Sequence, residues 1–219
     1  MRVLTWNLMH GRAVPPAGRN LLDEFAAALV GWDWEVALLQ EAPPWWPEVL
    51  AAEAGAGWRL ALTSRNFGLP LRRAIAVHWP DVIKSNGGGC NAILVRRGLS
   101  IVEHRAARLG WYPERRWMHA VRLSDGVWTG NLHTEARAGQ GRHAARMLRE
   151  WAGSAPAVLG GDFNVGDLAL PGFELAGGLG VDQVFVRGLV AGDAFVLERG
   201  ALSDHAPLVV SVTKMTPLR

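Results

Sequence analysis

Five short apolar segments of the sequence carry asparagine, aspartate, glutamate or histidine at one end. Each segment has the alternating or continuously apolar pattern of a β-strand. The polar ends are Asn7, Gln40-Glu41, Asn131-Leu132-His133, Asp162-Phe163-Asn164 and Ser203-Asp204-His205. Strand ends on one edge of a sheet converge in space, and α/β proteins build their sites at such edges. The pattern therefore predicts an α/β fold with one polar site assembled from several strands.

The segment Leu159-Gly160-Gly161-Asp162-Phe163-Asn164 carries the most chemical information. An apolar run predicts a buried strand that ends in two glycines, and a carboxylate and an amide follow two residues apart. In an extended chain these two side chains point to the same side. Such a pair can bind a metal, hold a water or grip a phosphate, although both residue types are also common in turns after glycine.

The rest of the sequence predicts about a dozen strands and a few helices. Apolar residues recur at helical spacing over 19–30, 44–54 and 138–152. The predicted strands are 2–6, 35–40, 58–62, 73–79, 91–96, 100–105, 116–123, 126–132, 156–160, 182–187, 193–197 and 207–213. This arrangement predicts two packed sheets with helices outside, in one domain over residues 1–219.

The composition is that of a globular protein without a membrane span. Apolar residues make up 49% and charged residues 20% of the chain, and no stretch is long and apolar enough to cross a bilayer. The first strand begins at Arg2 without a signal-peptide pattern, so we expect a cytoplasmic protein. We also expect the protein to be a monomer. A secreted chain whose leader was removed would look the same. The single Cys90 follows Gly87-Gly88-Gly89 in a predicted turn and excludes an intrachain disulfide.

Charge is distributed unevenly along the chain. Residues 58–149 carry sixteen basic and five acidic side chains, whereas the segments 1–57 and 150–219 are both acidic on balance. Twenty-one of the twenty-three basic residues are arginine, which makes bidentate contacts with phosphate. A general preference for arginine explains the residue type but not its clustering. The middle of the chain therefore predicts a basic surface that meets a phosphate backbone.

One part of this basic region is interleaved with aromatic residues. Trp111, Tyr112 and Trp117 lie among Arg108, Arg115 and Arg116. This composition is typical of a loop that faces nucleic acid, where bases stack on aromatic rings. It is equally typical of a strand edge with snorkelling arginines.

The ordered motifs resemble the endonuclease/exonuclease/phosphatase superfamily, the fold of pancreatic-type deoxyribonuclease and abasic-site endonucleases. The matching segments are Thr5-Trp6-Asn7, Leu39-Gln40-Glu41, Asn131-Leu132-His133, Gly161-Asp162-Phe163-Asn164 and Ser203-Asp204-His205, with 91–95 and 181–185 as further strands. The resemblance covers nearly the whole chain. It implies a four-layered α/β sandwich, in which two packed, mainly antiparallel β-sheets are flanked by helices.

Phosphodiester hydrolysis requires a neutralised phosphate charge, an activated water and a stabilised leaving oxygen. Hard carboxylate oxygens suit Mg²⁺, which binds through one or two carboxylates. We expect Glu41 to be the principal metal ligand, with Asn7 and Asp204 in support. Mn²⁺ and Ca²⁺ are the alternative ions, and the absence of a clustered Cys/His set disfavours zinc.

The expected catalytic residues divide into three roles. Asp162 orients or deprotonates the attacking water, and Asn164 holds a phosphate oxygen without adding negative charge. The resemblance implies that Asp182 pairs with His205, which then acts as a base or as a cation on the phosphate. The resemblance also places His133 near the scissile phosphate, where it can protonate the leaving group.

Three further residues are candidates for substrate contacts. Asn131 is expected to position His133 or a phosphate, and Asn91 and Arg116 are expected to touch the substrate. No role is predicted for the other histidines; His10 follows Asn7 closely, but Gly11 beside it indicates a turn.

Three functions remain open from the sequence. The first is a Mg²⁺-dependent phosphodiesterase that acts as a nuclease on DNA, and the basic middle of the chain favours it. The second is the same chemistry on a smaller phosphoester, such as a phospholipid or sugar-phosphate headgroup. The third is a binding module that has lost catalysis. Abasic-site repair is disfavoured, because the only tyrosine, Tyr112, lies outside the setting in which those enzymes use one.

Overall fold

The computed structural model describes residues 1–112 and 114–215 of the chain. Twelve strands within these residues form two six-stranded sheets. The strands are β1 (Arg2–Asn7), β2 (Val36–Ala42), β3 (Ala56–Leu62), β4 (Cys90–Arg96), β5 (Ile101–Gly110), β6 (Arg116–Leu123), β7 (Trp128–His133), β8 (Ala157–Asp162), β9 (Glu174–Leu179), β10 (Asp182–Arg187), β11 (Leu189–Val196) and β12 (Leu208–Lys214). The α-helices are α1 (Leu22–Gly31), α2 (Trp46–Glu53), α3 (Leu69–His78), α4 (Pro80–Ile83) and α5 (Ala138–Ala152).

The strand order places the predicted site at the ends of central strands in both sheets. The first sheet runs β11-β12-β1-β2-β4-β3 and the second runs β5-β6-β7-β8-β10-β9. Only the pairs β1–β2 and β7–β8 are parallel among these strands, so the sheets are mainly antiparallel, as predicted. Parallel pairing aligns the carboxyl ends of β1 and β2, and likewise those of β7 and β8.

Apolar side chains form three layers that separate the two sheets and the helices. A layer rich in valine, including Val36 and Val210, lies between the sheets. A second layer, with Trp6 and Phe25, packs α1 and α2 against the first sheet. A third, with Leu148, packs α5 against the second sheet. The four-layered α/β sandwich predicted from the sequence is therefore confirmed.

Some predicted elements differ from the structure. The segment 73–79 belongs to α3 and not to a strand, because its apolar run is short enough to fit either element. Strand β9 was not predicted, since it carries the Gly177-Gly178 pair, and glycine disfavours strands. Cys90 begins β4 instead of lying in the turn before it. No helix in the described parts of the chain is long and apolar enough to span a membrane.

A buried histidine makes stability depend on pH. His119 on β6 is fully buried, and its Nδ1 lies 3.2 Å from Nε2 of His104 on β5. Burial, helped by the charge of His104, lowers the pKa of His119 to about 3. The unfolded chain takes up a proton at this side chain near pH 6.5, whereas the folded chain resists it. We therefore expect stability to fall by up to about 1.4 kcal/mol per pH unit as the pH drops from 6.5.

Urea unfolding between pH 7 and pH 4.5, on the native chain and on His119→Gln, measures this effect. Asp162 acts in the opposite direction, since its raised pKa lets the folded chain take up a proton first, but it is present in both proteins. The stability of the variant should therefore depend less on pH than that of the native chain. Parallel stability curves for the two proteins would contradict this assignment.

Candidate active site

The ends of β1, β7 and β8 and the loop before β12 bring four predicted residues around the carboxylate of a fifth, Asp162. Asn7 Nδ2 donates a hydrogen bond to Asp162 Oδ2 at 3.0 Å, and the backbone N–H of Asn164 donates to Oδ1 at 2.9 Å. His133 Nε2 and His205 Nε2 lie 3.5 Å and 3.9 Å from Asp162 Oδ2. Asp162 is only 2% exposed. The cluster is thus centred on a buried carboxylate with donors on several sides.

Strand register explains why these residues meet. His133 pairs with Asp162 across the parallel strands β7 and β8, and Asp182 pairs with Asp162 across the antiparallel strands β8 and β10. Gly161, the residue that precedes Asp162, allows the backbones of β7 and β8 to approach each other closely. A Cβ atom at Gly161 would lie 2.0 Å from Leu132 O, and its φ of +143° is unfavourable for other residues.

His205 is held as a cation by Asp182. His205 Nδ1 donates to Asp182 Oδ2 at 2.6 Å, which is the contact that the resemblance implied. This hydrogen bond and the charge of Asp182 raise the pKa of His205 to about 9, although burial opposes the shift. Ser203 fixes the loop, because its Oγ accepts from the His205 N–H at 3.1 Å and donates to Asn7 O at 2.6 Å. At neutral pH the site therefore contains an imidazolium in a fixed orientation.

Asp162 has the proton affinity of a base that works near neutral pH. Burial, and then the charge of Asp182, raise the pKa of Asp162 to about 6. The hydrogen bonds from Asn7 and Asn164 and the charge of His205 oppose this shift. A general base is most effective when its pKa is near the working pH.

His133 is a neutral hydrogen-bond donor. Arg116 Nη1 lies 3.0 Å from His133 Nδ1, and a guanidinium only donates, so Nδ1 is the acceptor. The ring proton is then on Nε2, which faces Asp162. Burial and the charge of Arg116 lower the pKa of His133 well below its usual value. His133 therefore presents a neutral Nε2–H on the side of Asp162, and its role as a proton donor to the leaving group stays a prediction.

A β-bulge turns Glu41 toward the cleft. By strict alternation Glu41 would point to the helix-covered side with Leu39, but the register of β2 against β4 shifts between Leu39 and Ala42. The φ of Glu41 is +50°, a region that non-glycine residues rarely adopt and that is common at functional sites. Its carboxylate, with the side chain 26% exposed, lies 3.2 Å from His10 Nε2.

His10 is a residue that the sequence did not identify. Its Nε2 contacts Glu41, and its Nδ1 lies 3.2 Å from Gly88 O, to which it donates. Burial lowers the pKa of His10. In the sequence, only its position three residues after Asn7 indicated that His10 could lie near the site. Gly11 beside it indicated a turn instead, so no role was predicted.

The carboxylates of the site fit a divalent cation. Carboxylate oxygen atoms of Asp162 and Asp182 lie within 4.8 Å of each other and of a ring nitrogen of His205. Asp182 Oδ1 is buried without a hydrogen-bond partner among the described residues, which is unusual unless a cation or water satisfies it. Two of the predicted ligands adjoin this group: Asn7 contacts Asp162, and Asp204 Oδ1 lies 4.0 Å from His205 Nε2. The donors are mainly oxygen atoms, which suit Mg²⁺.

The expected substrate contact of Asn131 is wrong. Asn131 is fully buried, and its Nδ2 donates to Leu39 O at 2.9 Å and to Ala92 O at 2.8 Å. Its Oδ1 accepts from Gln40 Nε2 at 2.8 Å. The side chain therefore links the second sheet to β2 and β4 of the first and has no donor left for His133 or a phosphate.

Asn91 and Arg116 differ in their access to the site. Asn91 is fully buried, and its Nδ2 donates to Trp117 O at 3.0 Å, so the expected contact with substrate is also wrong. Arg116, in contrast, lines a polar cleft together with Glu41, His133 and two loop residues, Arg65 and Glu114. Its contact with the substrate stays a prediction.

Solved structures share this fold over nearly the whole chain. An endonuclease/exonuclease/phosphatase from Bacteroides vulgatus is 16% identical, with a TM-score of 0.72, over 98% of each chain. A mannosyl-6-phosphatase from Bacteroides thetaiotaomicron is 17% identical, with a TM-score of 0.70, over 97% of this chain and 99% of that one. TDP2 from Caenorhabditis elegans is 17% identical, with a TM-score of 0.69, over 97% of this chain and 74% of that one.

The sequence comparisons bear on the family directly. No curated protein matches the chain significantly. The model of the Endonuclease/Exonuclease/phosphatase family matches residues 4–205. The chain therefore belongs to the endonuclease/exonuclease/phosphatase family and is a metal-dependent hydrolase of phosphoester bonds.

Proposed function

We propose that the chain hydrolyses phosphodiester bonds in DNA by attack of an activated water. The observation that carries this proposal is the pairing of a buried carboxylate, Asp162, with an imidazolium, His205. Asp162 has a pKa of about 6 and His205 a pKa of about 9, so at neutral pH one accepts a proton and the other carries positive charge. A site that hydrolyses a phosphodiester needs both functions.

Each residue has a defined part in this scheme. Asp162 accepts a proton from the attacking water, and His205 binds a phosphate oxygen through the Nε2–H that faces Asp162. Asn164 Nδ2 donates to Thr134 O at 2.8 Å, which leaves its second amide hydrogen for the phosphate. His133, as a neutral Nε2–H donor, contacts the phosphate or its leaving oxygen.

We propose Glu41 as the principal ligand of a Mg²⁺ ion, with Asn7 and Asp204 in support. His205 is not a ligand in this scheme, because a protonated imidazole has no free lone pair. When bound, the metal would neutralise phosphate charge and lower the pKa of a coordinated water.

DNA is the proposed substrate because basic side chains border the cleft. Arg65 and Arg116 line it, and both belong to the segment 58–149, which contains sixteen of the twenty-three basic residues of the chain. A polyanion gains from such clustering through release of its counterions. A smaller phosphoester is the second candidate, and the shared fold of the mannosyl-6-phosphatase favours it.

Two assays separate these substrates. With Mg²⁺, hydrolysis of bis-p-nitrophenyl phosphate should exceed that of p-nitrophenyl phosphate, because the site is proposed to act on diesters. In EDTA, the dissociation constant for a labelled DNA duplex should rise steeply with salt, with a log–log slope on the order of two or more for the arginines of the cleft. Preference for the monoester together with salt-independent DNA binding would overturn the proposal and favour the second candidate.

A further inference from the structure

Two arginines in the cleft bind one glutamate. Arg116 Nη2 lies 3.0 Å from Glu114 Oε2, and Arg65 Nη2 forms an ion pair with Glu114 Oε1. Each carboxylate oxygen thus receives one guanidinium. The side chains of Arg65, Glu114 and Arg116 are 37%, 25% and 15% exposed, so the group is open to the cleft but largely shielded.

Backbone contacts hold this group in place. The N–H of Arg115 donates to Ser64 Oγ at 2.6 Å and joins the loop after β3 to the start of β6. Arg65 has a φ of +63°, in the left-handed region that few non-glycine residues adopt. The loop therefore holds the Arg65 guanidinium in the cleft at some cost in backbone energy, which is typical of functional residues.

We propose that Arg65 and Arg116 bind a second anionic group of the substrate, a phosphate next to the scissile one. In this inference Glu114 occupies the subsite when no substrate is bound. It rests on the proposed function, because it assumes that a phosphodiester is hydrolysed at Asp162. Arginine binds phosphate by donating from its guanidinium to the phosphate oxygens, and two guanidinium groups are already placed here around two oxygens. A phosphate carries more charge and offers more acceptors than the Glu114 carboxylate that it would displace.

The position of Arg116 ties the subsite to the reacting centre. Its Nη1 contacts His133 Nδ1 at 3.0 Å, and His133 Nε2 lies 3.5 Å from Asp162 Oδ2. Arg116 Nε is buried and has no hydrogen-bond partner in the described parts of the chain. A buried donor without an acceptor is uncommon, and a phosphate oxygen is the kind of group that supplies one.

This subsite defines a substrate class. A phosphodiester with a neighbouring phosphate, as in a polynucleotide or a 5′-phosphodiester of a 3′-phosphorylated nucleoside, makes the additional contacts, whereas an isolated diester does not. The chain contains a matched group for comparison, because Glu103 bonds both Arg105 and Arg122 on β5 and β6. Glu103, Arg105 and Arg122 lie outside the lining of the cleft that contains Arg116.

Binding without metal tests the subsite independently of catalysis. Calorimetry in EDTA should show that thymidine 3′,5′-bisphosphate binds at least about tenfold more tightly than thymidine 5′-monophosphate, the effect of one charge-assisted hydrogen bond. Arg65→Gln should remove this preference, and Glu114→Gln should increase it because the competing carboxylate is lost. The matched variants Arg105→Gln and Glu103→Gln should leave it unchanged. Arg65→Lys keeps the positive charge but not the planar guanidinium, so it should retain only part of the preference for the bisphosphate.

Hydrolysis distinguishes failure of the subsite from failure of the proposed function. The substrates are the 5′-p-nitrophenyl phosphate esters of thymidine with and without a 3′-phosphate, tested with Mg²⁺. A lower KM for the 3′-phosphorylated ester, lost in Arg65→Gln, supports the subsite. Equal KM values and equal nucleotide affinities in the native chain would overturn it. A native chain that binds the bisphosphate preferentially but hydrolyses neither ester would keep the subsite and overturn the proposed function.

Discussion

Replacing Asp162 with asparagine is expected to lower kcat for phosphodiester hydrolysis by about 10²- to 10⁴-fold, the usual contribution of a general base. Asparagine keeps an acceptor for the Asn164 N–H but cannot take a proton from water. KM should change little, because the proposed substrate contacts come from other side chains. Steady-state kinetics on bis-p-nitrophenyl phosphate with Mg²⁺ measures both constants.

Asp167 provides the control for this substitution. It lies five residues further along the chain, is exposed, and has a φ of +50°, which asparagine tolerates well. Asp167→Asn should therefore retain near-native kcat. If Asp162→Asn were folded and as active as the native chain, Asp162 could not be the base.

Replacing His205 with glutamine is expected to reduce kcat by a similar factor, because the fixed positive charge beside Asp162 disappears. Asp182→Asn should have a smaller effect and act through His205, since it removes the hydrogen bond and the charge that raise the pKa of that ring. In metal-free protein, an NMR titration should then show the pKa of His205 falling from about 9 toward its usual value.

The double variant tests whether Asp182 acts through His205. If it does, adding Asp182→Asn to His205→Gln should cost little further activity, whereas independent residues would have additive effects on the activation free energy. An unchanged pKa of His205 in Asp182→Asn, or full additivity of the two substitutions, would show that Asp182 has another role.

Much of the site could be predicted because strand ends and register are visible in the sequence. The parallel pairs β1–β2 and β7–β8 place Asn7 near Glu41 and His133 beside Asp162, and a polar residue at the end of an apolar run marks each position. Gly161 is part of the same signal, since the close approach of the two backbones there requires glycine.

The remaining features depend on geometry that the sequence does not display. The period of two residues along a strand cannot tell which face lies between the sheets, so Asn131 and Asn91 were expected at the site but are buried away from it. The bulge that redirects Glu41 has no sequence signature. Arg65 and Glu114 meet only because two loops pack together.

Nicking of supercoiled plasmid DNA is the most direct test of the central claim. The native chain, with Mg²⁺ and with EDTA, should be compared with the Asp162→Ala, His205→Ala double variant after both are shown to be folded. We expect nicking that requires Mg²⁺ and is lost in the double variant. Absence of nicking by the folded native chain, or equal nicking by the double variant, would contradict the proposed function or its site.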